Sequence, residues 1–178
     1  MASNIFSNVT GGNWSLATNW SAGTVPDSST TVTFVSGTYT SFVDSTGAPW
    51  TIQSLNVNVA TVTLEVDANL TAGGLSGNLG TINVDNGAIL MIQSLNSGSG
   101  TISVSNGSEL IVGKLNNSNG NIIAGPNGLV DLGAMATATL PSPAARWRSI
   151  ATTLAAASSR WMPARYGWRA GSEVRPTS

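Results

Sequence analysis

The sequence contains no cysteine and no histidine, and only 8% of its residues are charged. Without cysteine the chain has no disulfide framework and no thiol chemistry, and without histidine it lacks the commonest metal ligand and general base. Soluble domains usually carry about 25% charged residues, and serine, threonine, asparagine and glycine take that place here. These absences weigh against catalysis, so we expect a protein that is not an enzyme and needs no cofactor.

Long apolar runs are also missing. No stretch approaches the 18 apolar residues that predict a membrane-spanning helix, and the first residues have neither the basic nor the apolar region of a secretory signal. We therefore expect no membrane span and no conventional export. The net charge of −1 hides a division, because residues 1–140 hold seven acids and one lysine whereas residues 141–178 hold six arginines and one glutamate. This asymmetry predicts an acidic body and a basic tail.

A 20-residue unit recurs between residues 50 and 119. Ile52-Gln53-Ser54-Leu55-Asn56 returns unchanged at positions 92–96, and residues 80–87 return in similar form at 100–107. The period aligns apolar residues in columns, which are Ile52, Ala72, Ile92 and Val112; Leu55, Leu75, Leu95 and Leu115; and Val62, Ile82, Ile102 and Ile122. A fixed period with turn glycines is typical of stacked coils. We predict an all-β fold, a short parallel β-solenoid of ~20-residue coils with these columns inside.

The chain divides into three parts. Residues 1–29 are expected to form an N-terminal cap, 30–133 the solenoid repeats, and 134–178 an α-helical or irregular basic tail rich in Arg, Trp and Ala. Val32 and Val35 lie one repeat length before Ile52 and Leu55, which suggests that this stretch already forms a coil. The sequence Gly125-Pro126-Asn127-Gly128 suggests one extra residue before an Asn-Gly turn. Ser142-Pro143 provides a helix start, and we predict a helix over residues 143–162.

Two tryptophans, Trp14 and Trp20, stand among turn-forming residues in the N-terminal part. We interpret them as covering the open apolar end of the first coil; the alternative is a stacking platform for sugars. Gly12-Asn13-Trp14, then Asn19-Trp20-Ser21-Ala22-Gly23, then Pro26-Asp27 before a β-rich run resembles bacterial and phage β-strand-repeat proteins. These include autotransporter-type passengers and virion appendages with parallel β-solenoids. The resemblance covers residues 11–132 and implies an architecture without one activity, since no pectate-lyase-like catalytic motif matches.

Polar residues also fall into register. Stacked amides can hydrogen-bond from coil to coil, which is the role expected at the corner formed by Asn56, Ser76, Asn96 and Asn116. Asn86-Gly87 and Asn106-Gly107 suit turns that need left-handed backbone angles.

Glu65 and Asp85 are one repeat length apart, which predicts neighbouring carboxylates on the outer face. We interpret them as two solvated acids whose repulsion is screened. The alternatives are a weak site for a cation such as Ca²⁺ and a retaining glycosidase pair.

The tail carries an apolar stripe at helical spacing with arginines beside it: Trp147, Ile150, Leu154 and Trp161, flanked by Arg146, Arg148 and Arg160. Trp and Arg are enriched in binding hot spots, so we predict that this stripe caps the coil or forms an interface. Binding to an anionic membrane surface and binding to nucleic acid are alternatives. The small number of basic residues disfavours nucleic acid as a partner.

These features together favour a structural virion protein of a tailed bacteriophage, such as a capsid decoration, head-fibre or tail-fibre component. Its expected partners are other virion proteins and copies of itself, and its expected location is the virion, assembled in the host cytoplasm. One alternative is a fragment of a secreted bacterial adhesin or autotransporter passenger at the cell surface. Another is a carbohydrate-active β-helix protein.

Overall fold

A computed structural model describes residues 2–96, 98–116 and 120–135, and these form an all-β parallel solenoid of about five turns. The predicted fold class and the ~20-residue coil are thereby confirmed. One short 3-10 helix, Ala17–Asn19, lies in the N-terminal part. The strands are β1 (Ala2–Ile5), β2 (Gly12–Asn13), β3 (Thr30–Phe34), β4 (Tyr39–Val43), β5 (Trp50–Ile52), β6 (Ser54–Val57), β7 (Val62–Val66), β8 (Leu70–Ala72), β9 (Thr81–Val84), β10 (Ile89–Leu95), β11 (Thr101–Val104), β12 (Glu109–Leu115), β13 (Asn121–Ala124) and β14 (Leu129–Met135).

Parallel pairing arranges these strands on two faces. One face is a six-stranded sheet in the order β2-β4-β7-β9-β11-β13. The other holds a three-stranded sheet, β1-β3-β6, and a five-stranded sheet, β5-β8-β10-β12-β14. Leu75 joins those two sheets because it bridges to Leu55 on one side and to Leu95 on the other. Each coil therefore contributes strand to both faces and encloses the core between them.

The core follows from alternation along each strand, since successive side chains point to opposite sides. In β7, Val62, Leu64 and Val66 are buried, whereas Thr63 and Glu65 are partly exposed. The predicted inner columns are confirmed on the second face: Ile52 pairs with Ala72, Ala72 with Ile92, and Ile92 with Val112. Full burial of one such aliphatic side chain is worth about 1.5–3 kcal/mol, and every coil repeats the contribution.

The register departs from the repeat length in the early coils. Val32 pairs with Leu55 rather than Ile52, and Leu64 rather than Val62 pairs with Ile82. The predicted Val62–Ile82 alignment is therefore wrong, whereas β3 belongs to a coil as predicted, since it pairs with β1 and β6. Two connections cause the difference. Residues 44–49, between β4 and β5, outnumber residues 67–69 in the next coil. Leu55 also precedes Thr63 by eight positions, whereas their partners Leu75 and Thr81 are only six positions apart.

Turns that need left-handed backbone are placed as predicted. Asn86 and Gly87 have φ angles of 57° and 75°, and Asn106 and Gly107 have 51° and 78°. Each pair occupies the centre of a turn closed by a backbone hydrogen bond, from Ala88 N–H to the Asp85 carbonyl and from Ser108 N–H to the Ser105 carbonyl. Two positive φ angles in succession define the type I′ turn, in which Asn-Gly is the favoured pair.

The corresponding turn of the last coil uses different chemistry. Gly128 N–H donates to the Gly125 carbonyl over 3.1 Å, and Asn127 has a φ of 56°. Proline at the first central position and a left-handed residue at the second is the pattern of a type II turn. Glu109 pairs with Leu129 at the regular offset, so the extra residue before the Asn-Gly does not lengthen the coil. The Asn-Gly pair is displaced by one position within a turn of unchanged length.

Replacing Asn86 tests this requirement. Asn86→Ala should destabilise the protein by about 1–2 kcal/mol, because alanine pays the steric cost of left-handed backbone. The change also removes the hydrogen bond from Asn86 Nδ2 to Asp67 Oδ1, which is 2.8 Å long. Asn86→Gly is the matched control, since it removes the same amide but accepts the backbone angle. Urea unfolding should rank wild type and Asn86→Gly above Asn86→Ala; equal losses in both variants would contradict the backbone argument.

Candidate functional site

The N-terminal end of the core is filled by aromatic side chains. Trp14 is 0% exposed and Trp20 3% exposed; their rings lie 5.1 Å apart, and Trp20 Nε1 donates to the Trp14 carbonyl over 2.7 Å. Phe6, Phe34, Tyr39 and Trp50 complete the cluster. Burial this deep leaves no ring face of either tryptophan for a sugar to stack on. It agrees with the interpretation that they close the apolar end.

The backbone edge at that end is covered as well. Ser21 N–H donates to the Ile5 carbonyl over 2.9 Å, and Ile5 N–H donates to Ser21 Oγ over 3.0 Å. Asn4 Oδ1 accepts from Ala22 N–H, while Asn4 Nδ2 donates to the Thr24 carbonyl. Residues 19–24 therefore occupy the outer edge of β1. An unpaired edge would template pairing with another chain, and here the chain itself prevents that.

Asp44 ties the covering segment to the first coils. Its carboxylate accepts hydrogen bonds from Ser15 N–H at 3.0 Å and Thr46 N–H at 2.9 Å. Partial burial alone would raise the pKa of Asp44, but the backbone and side-chain hydrogen bonds of Ser15 and Thr46 together outweigh it and lower the pKa. The pKa of Asp27, just before β3, is also lowered, first by the hydroxyls of Ser29 and Thr30 and then by Ser29 N–H.

Acid should therefore loosen the N-terminal end. A carboxyl group whose pKa is lowered by folding stabilises the protein above its unfolded pKa of about 3.9 and loses that contribution as the pH falls through its folded pKa. Asp44→Asn should consequently lower the thermal midpoint clearly at pH 7, and the gap to wild type should shrink below about pH 4. Asp131→Asn, at an exposed acid far from this end, is the control and should lower the thermal midpoint less than Asp44→Asn does at pH 7. A gap that stays constant with pH would contradict the proposed role of the carboxylate.

Acids on the outer surface pair with amides of neighbouring coils. Glu65 lies opposite Asn83, whose Nδ2 donates to Glu65 Oε1 over 2.9 Å. Asp85 accepts from Asn106 Nδ2 over 2.6 Å. The expected pairing of Glu65 with Asp85 is wrong, because the offset between β7 and β9 is shorter than the repeat length. Within 2–96, 98–116 and 120–135, no group of three or more acidic, histidine or cysteine side chains could hold a metal ion.

The predicted corner of amides is formed in part by direct hydrogen bonds. Asn116 Nδ2 donates to Asn96 Oδ1 over 2.8 Å and to Ser94 Oγ over 3.0 Å. The Ser76 hydroxyl and the Asn56 side-chain amide lie 3.1 Å apart. These contacts join neighbouring coils at their corner and confirm the structural role predicted for those side chains.

The C-terminal end of the core differs from the N-terminal end. Ile122, Val130 and Leu132 continue the inner columns, but each is only partly buried. Their counterparts one coil earlier, Ile102, Leu110 and Val112, are at most 3% exposed. No described residue pairs with the far edges of β13 and β14. Within the described part of the chain, this end is an open apolar surface bordered by two strand edges.

The predicted tail residues lie outside the described part of the chain. They are the apolar set Trp147, Ile150, Leu154 and Trp161, the basic set Arg146, Arg148 and Arg160, and the helix expected over 143–162. Sequence reasoning missed Asp44 and the pairing of Ser21 with Ile5. Both contacts join segments that are far apart in the chain and outside the repeat, so no local sequence pattern predicts them.

In comparisons with known proteins, no family model, no curated protein and no solved structure matches this chain. The described residues include no helix long and apolar enough to cross a membrane. The most distinctive features of the molecule are therefore its two ends, one closed by its own chain and one open among the described residues. Between them lies a continuous ladder whose polar side chains bind one another.

Proposed function

We propose that this chain is a non-catalytic structural protein whose solenoid acts as a rigid spacer or cementing element in a larger assembly. The observation that carries the proposal is the unbroken parallel ladder from β2 to β13 on one face, with the same aliphatic columns behind it. Hydrogen bonds along the axis and a continuous core resist both stretching and bending. A molecule built in this way transmits force or fixes a distance.

The outer acids support the same function. Glu65 and Asp85 each accept a hydrogen bond from an asparagine of another coil, so their role is to hold coils together. The side chain of Asp44 does the same for the N-terminal segment. Each of these carboxylates has a structural partner, which favours a mechanical function for the described body over a catalytic one.

The assembly that we propose is the virion of a tailed bacteriophage, with the chain as a capsid decoration, head-fibre or tail-fibre component. The resemblance of residues 11–132 to phage and bacterial β-strand-repeat proteins directs the proposal to such appendages. The partners would be other virion proteins, and several copies would be present on one particle.

Immunogold electron microscopy tests this proposal. Antibodies against the folded chain should label particles in phage-containing fractions of the source culture, at regular positions on heads or tails. Fractions depleted of particles are the control and should carry little label. Label confined to bacterial cell surfaces would overturn the virion assignment in favour of an adhesin. Release of products from a polysaccharide panel by the purified chain would overturn the non-catalytic assignment.

A further inference from the structure

The described chain covers the N-terminal end of the solenoid but not its C-terminal end. At the N-terminal end, residues 19–24 pair with the edge of β1 and six aromatic side chains fill the core. At the C-terminal end, no described strand pairs with the far edges of β13 and β14, and Ile122, Val130 and Leu132 are only partly buried. Solenoid proteins need both terminal repeats covered to stay soluble. Something must therefore occupy the second end.

We propose that residues 136–178 of the same chain fold back over this end and cover Ile122, Val130 and Leu132. β14 ends at Met135, so this segment begins directly after the coil that needs covering. The apolar stripe of this segment (Trp147, Ile150, Leu154 and Trp161) supplies the side chains that an exposed aliphatic core would bury.

Charge favours the same arrangement. The segment from residue 141 onward has six arginines and one glutamate, whereas residues 1–140 have seven acids and one lysine. Glu109 and Asp131 lie on the last two strands of the second face, where they meet a basic segment at short range. Opposite charge steers a segment towards a surface and fixes its orientation more than it adds affinity.

A second copy of the chain is the main rival occupant. Head-to-tail stacking would require the N-terminal edge of one copy to pair with the C-terminal edge of the next, but residues 19–24 already occupy that N-terminal edge. Two copies could still meet through their C-terminal ends. A tethered segment, however, has an effective concentration in the millimolar range, so it competes strongly with a free second copy. Trp147 lies twelve positions after Met135, and an extended chain of that length reaches about 40 Å.

The absence of cysteine makes a direct test possible, because introduced thiols are the only ones present. The test variant of the full chain is Val130→Cys with Ile150→Cys, treated with a short bismaleimide. The matched control is Ser28→Cys with Ile150→Cys, since Ser28 is exposed in the N-terminal part. We expect a cross-link within one chain in the test variant, independent of protein concentration, and at least tenfold less in the control. Cross-linked peptides are identified by mass spectrometry.

Other outcomes overturn the inference. If the double variant gives no intrachain product and the single variant Val130→Cys cross-links into dimers, the end is assigned to a second copy. No cross-link at all, or equal yields in test and control, would show that residues 136–178 do not cover it. If Val130→Cys fails to fold, Leu132→Cys replaces it.

A measurement on the unmodified full chain gives a second, independent test. Backbone amides of β14 that do not pair with β12 should exchange hydrogen as slowly as amides in the middle of the solenoid. The triple variant Trp147→Ser, Ile150→Ser and Leu154→Ser should speed exchange in β14 at least tenfold and leave β1 unchanged. Changing Arg146, Arg148 and Arg160 to Gln is the control and should have the smaller effect. Fast exchange of β14 in the parent chain would overturn the inference. The inference does not depend on the proposed virion function, because both tests are made on the isolated chain.

Discussion

Leu75→Asp is expected to abolish folding of the repeats. Leu75 is 0% exposed and bridges to Leu55 and Leu95, so it lies where the two sheets of the second face are joined. An aspartate there is enclosed by aliphatic side chains without a partner. Burying an unpaired carboxylate costs far more than an average substitution, and a whole domain is stable by only about 5–15 kcal/mol. Leu75→Ala should cost about 2–5 kcal/mol, from lost burial and a cavity.

The matched control places the same charge on the outside of the ladder. Met91 is 38% exposed on β10, and Met91→Asp should change the unfolding free energy by no more than about 0.5 kcal/mol. Circular dichroism and urea unfolding distinguish the two variants. Near-wild-type stability of Leu75→Asp would contradict the assignment of the leucine column to the interior. Equal destabilisation by both variants would show that the added charge, rather than its burial, lowers the stability.

The leucine column was predictable because the repeat is regular where it lies. Leu55, Leu75 and Leu95 recur once in every repeat and are aligned by the structure at that offset. The same holds from β8 to β14, where every pair of neighbouring strands on the second face keeps the regular register. A periodic sequence specifies how its coils stack. When each repeat has an apolar residue at the same position, only one alignment of the coils buries all of these residues.

The early register could not be read from the same pattern. Side chains alternate with a period of two, so a two-residue shift leaves each residue on its original side. Val62 and Leu64 are both inward-facing in β7, and either could stand opposite Ile82 without exposing an apolar side chain. Connection lengths at the corners decide between them, and those lengths are set by turns rather than by periodicity. The misplaced pairing of Glu65 with Asp85 follows from the same ambiguity.

The structure of the N-terminal end was even less predictable from the sequence. The composition around Trp14 and Trp20 indicated a covering segment, and both side chains are buried there. The contacts that hold the segment, from Asp44 to Ser15 and from Ser21 to Ile5, join residues without a shared repeat. Pairings of that kind depend on the folded path of the chain. Only the chemistry of the individual side chains could suggest these contacts, because the residues do not occupy positions of a repeat.

Glycine marks the places where successive coils approach each other most closely. A Cβ on Gly100 would overlap the carbonyl oxygen of Gly80 and lie 2.8 Å from the carbonyl carbon of Leu79. Gly80 and Gly100 are one repeat apart, and Gly100 N–H donates to the Asn78 carbonyl over 2.8 Å. The obstacle is therefore backbone that already takes part in the ladder. It cannot move away without loss of hydrogen bonds between coils.

Gly100→Ala should consequently destabilise the protein by about 3 kcal/mol, at the upper end of the usual cost of overpacking. Gly74→Ala is the matched control, because its Cβ would meet nothing closer than Ser94 O at 3.7 Å and its φ is not positive. That control should be neutral or stabilising by up to about 1 kcal/mol, since alanine restricts the unfolded chain more than glycine does. Urea denaturation of both variants gives the comparison. If the two alanines proved equally harmless, the coils would have room to separate at Gly100, and the close backbone contact between repeats would not be what limits that position to glycine.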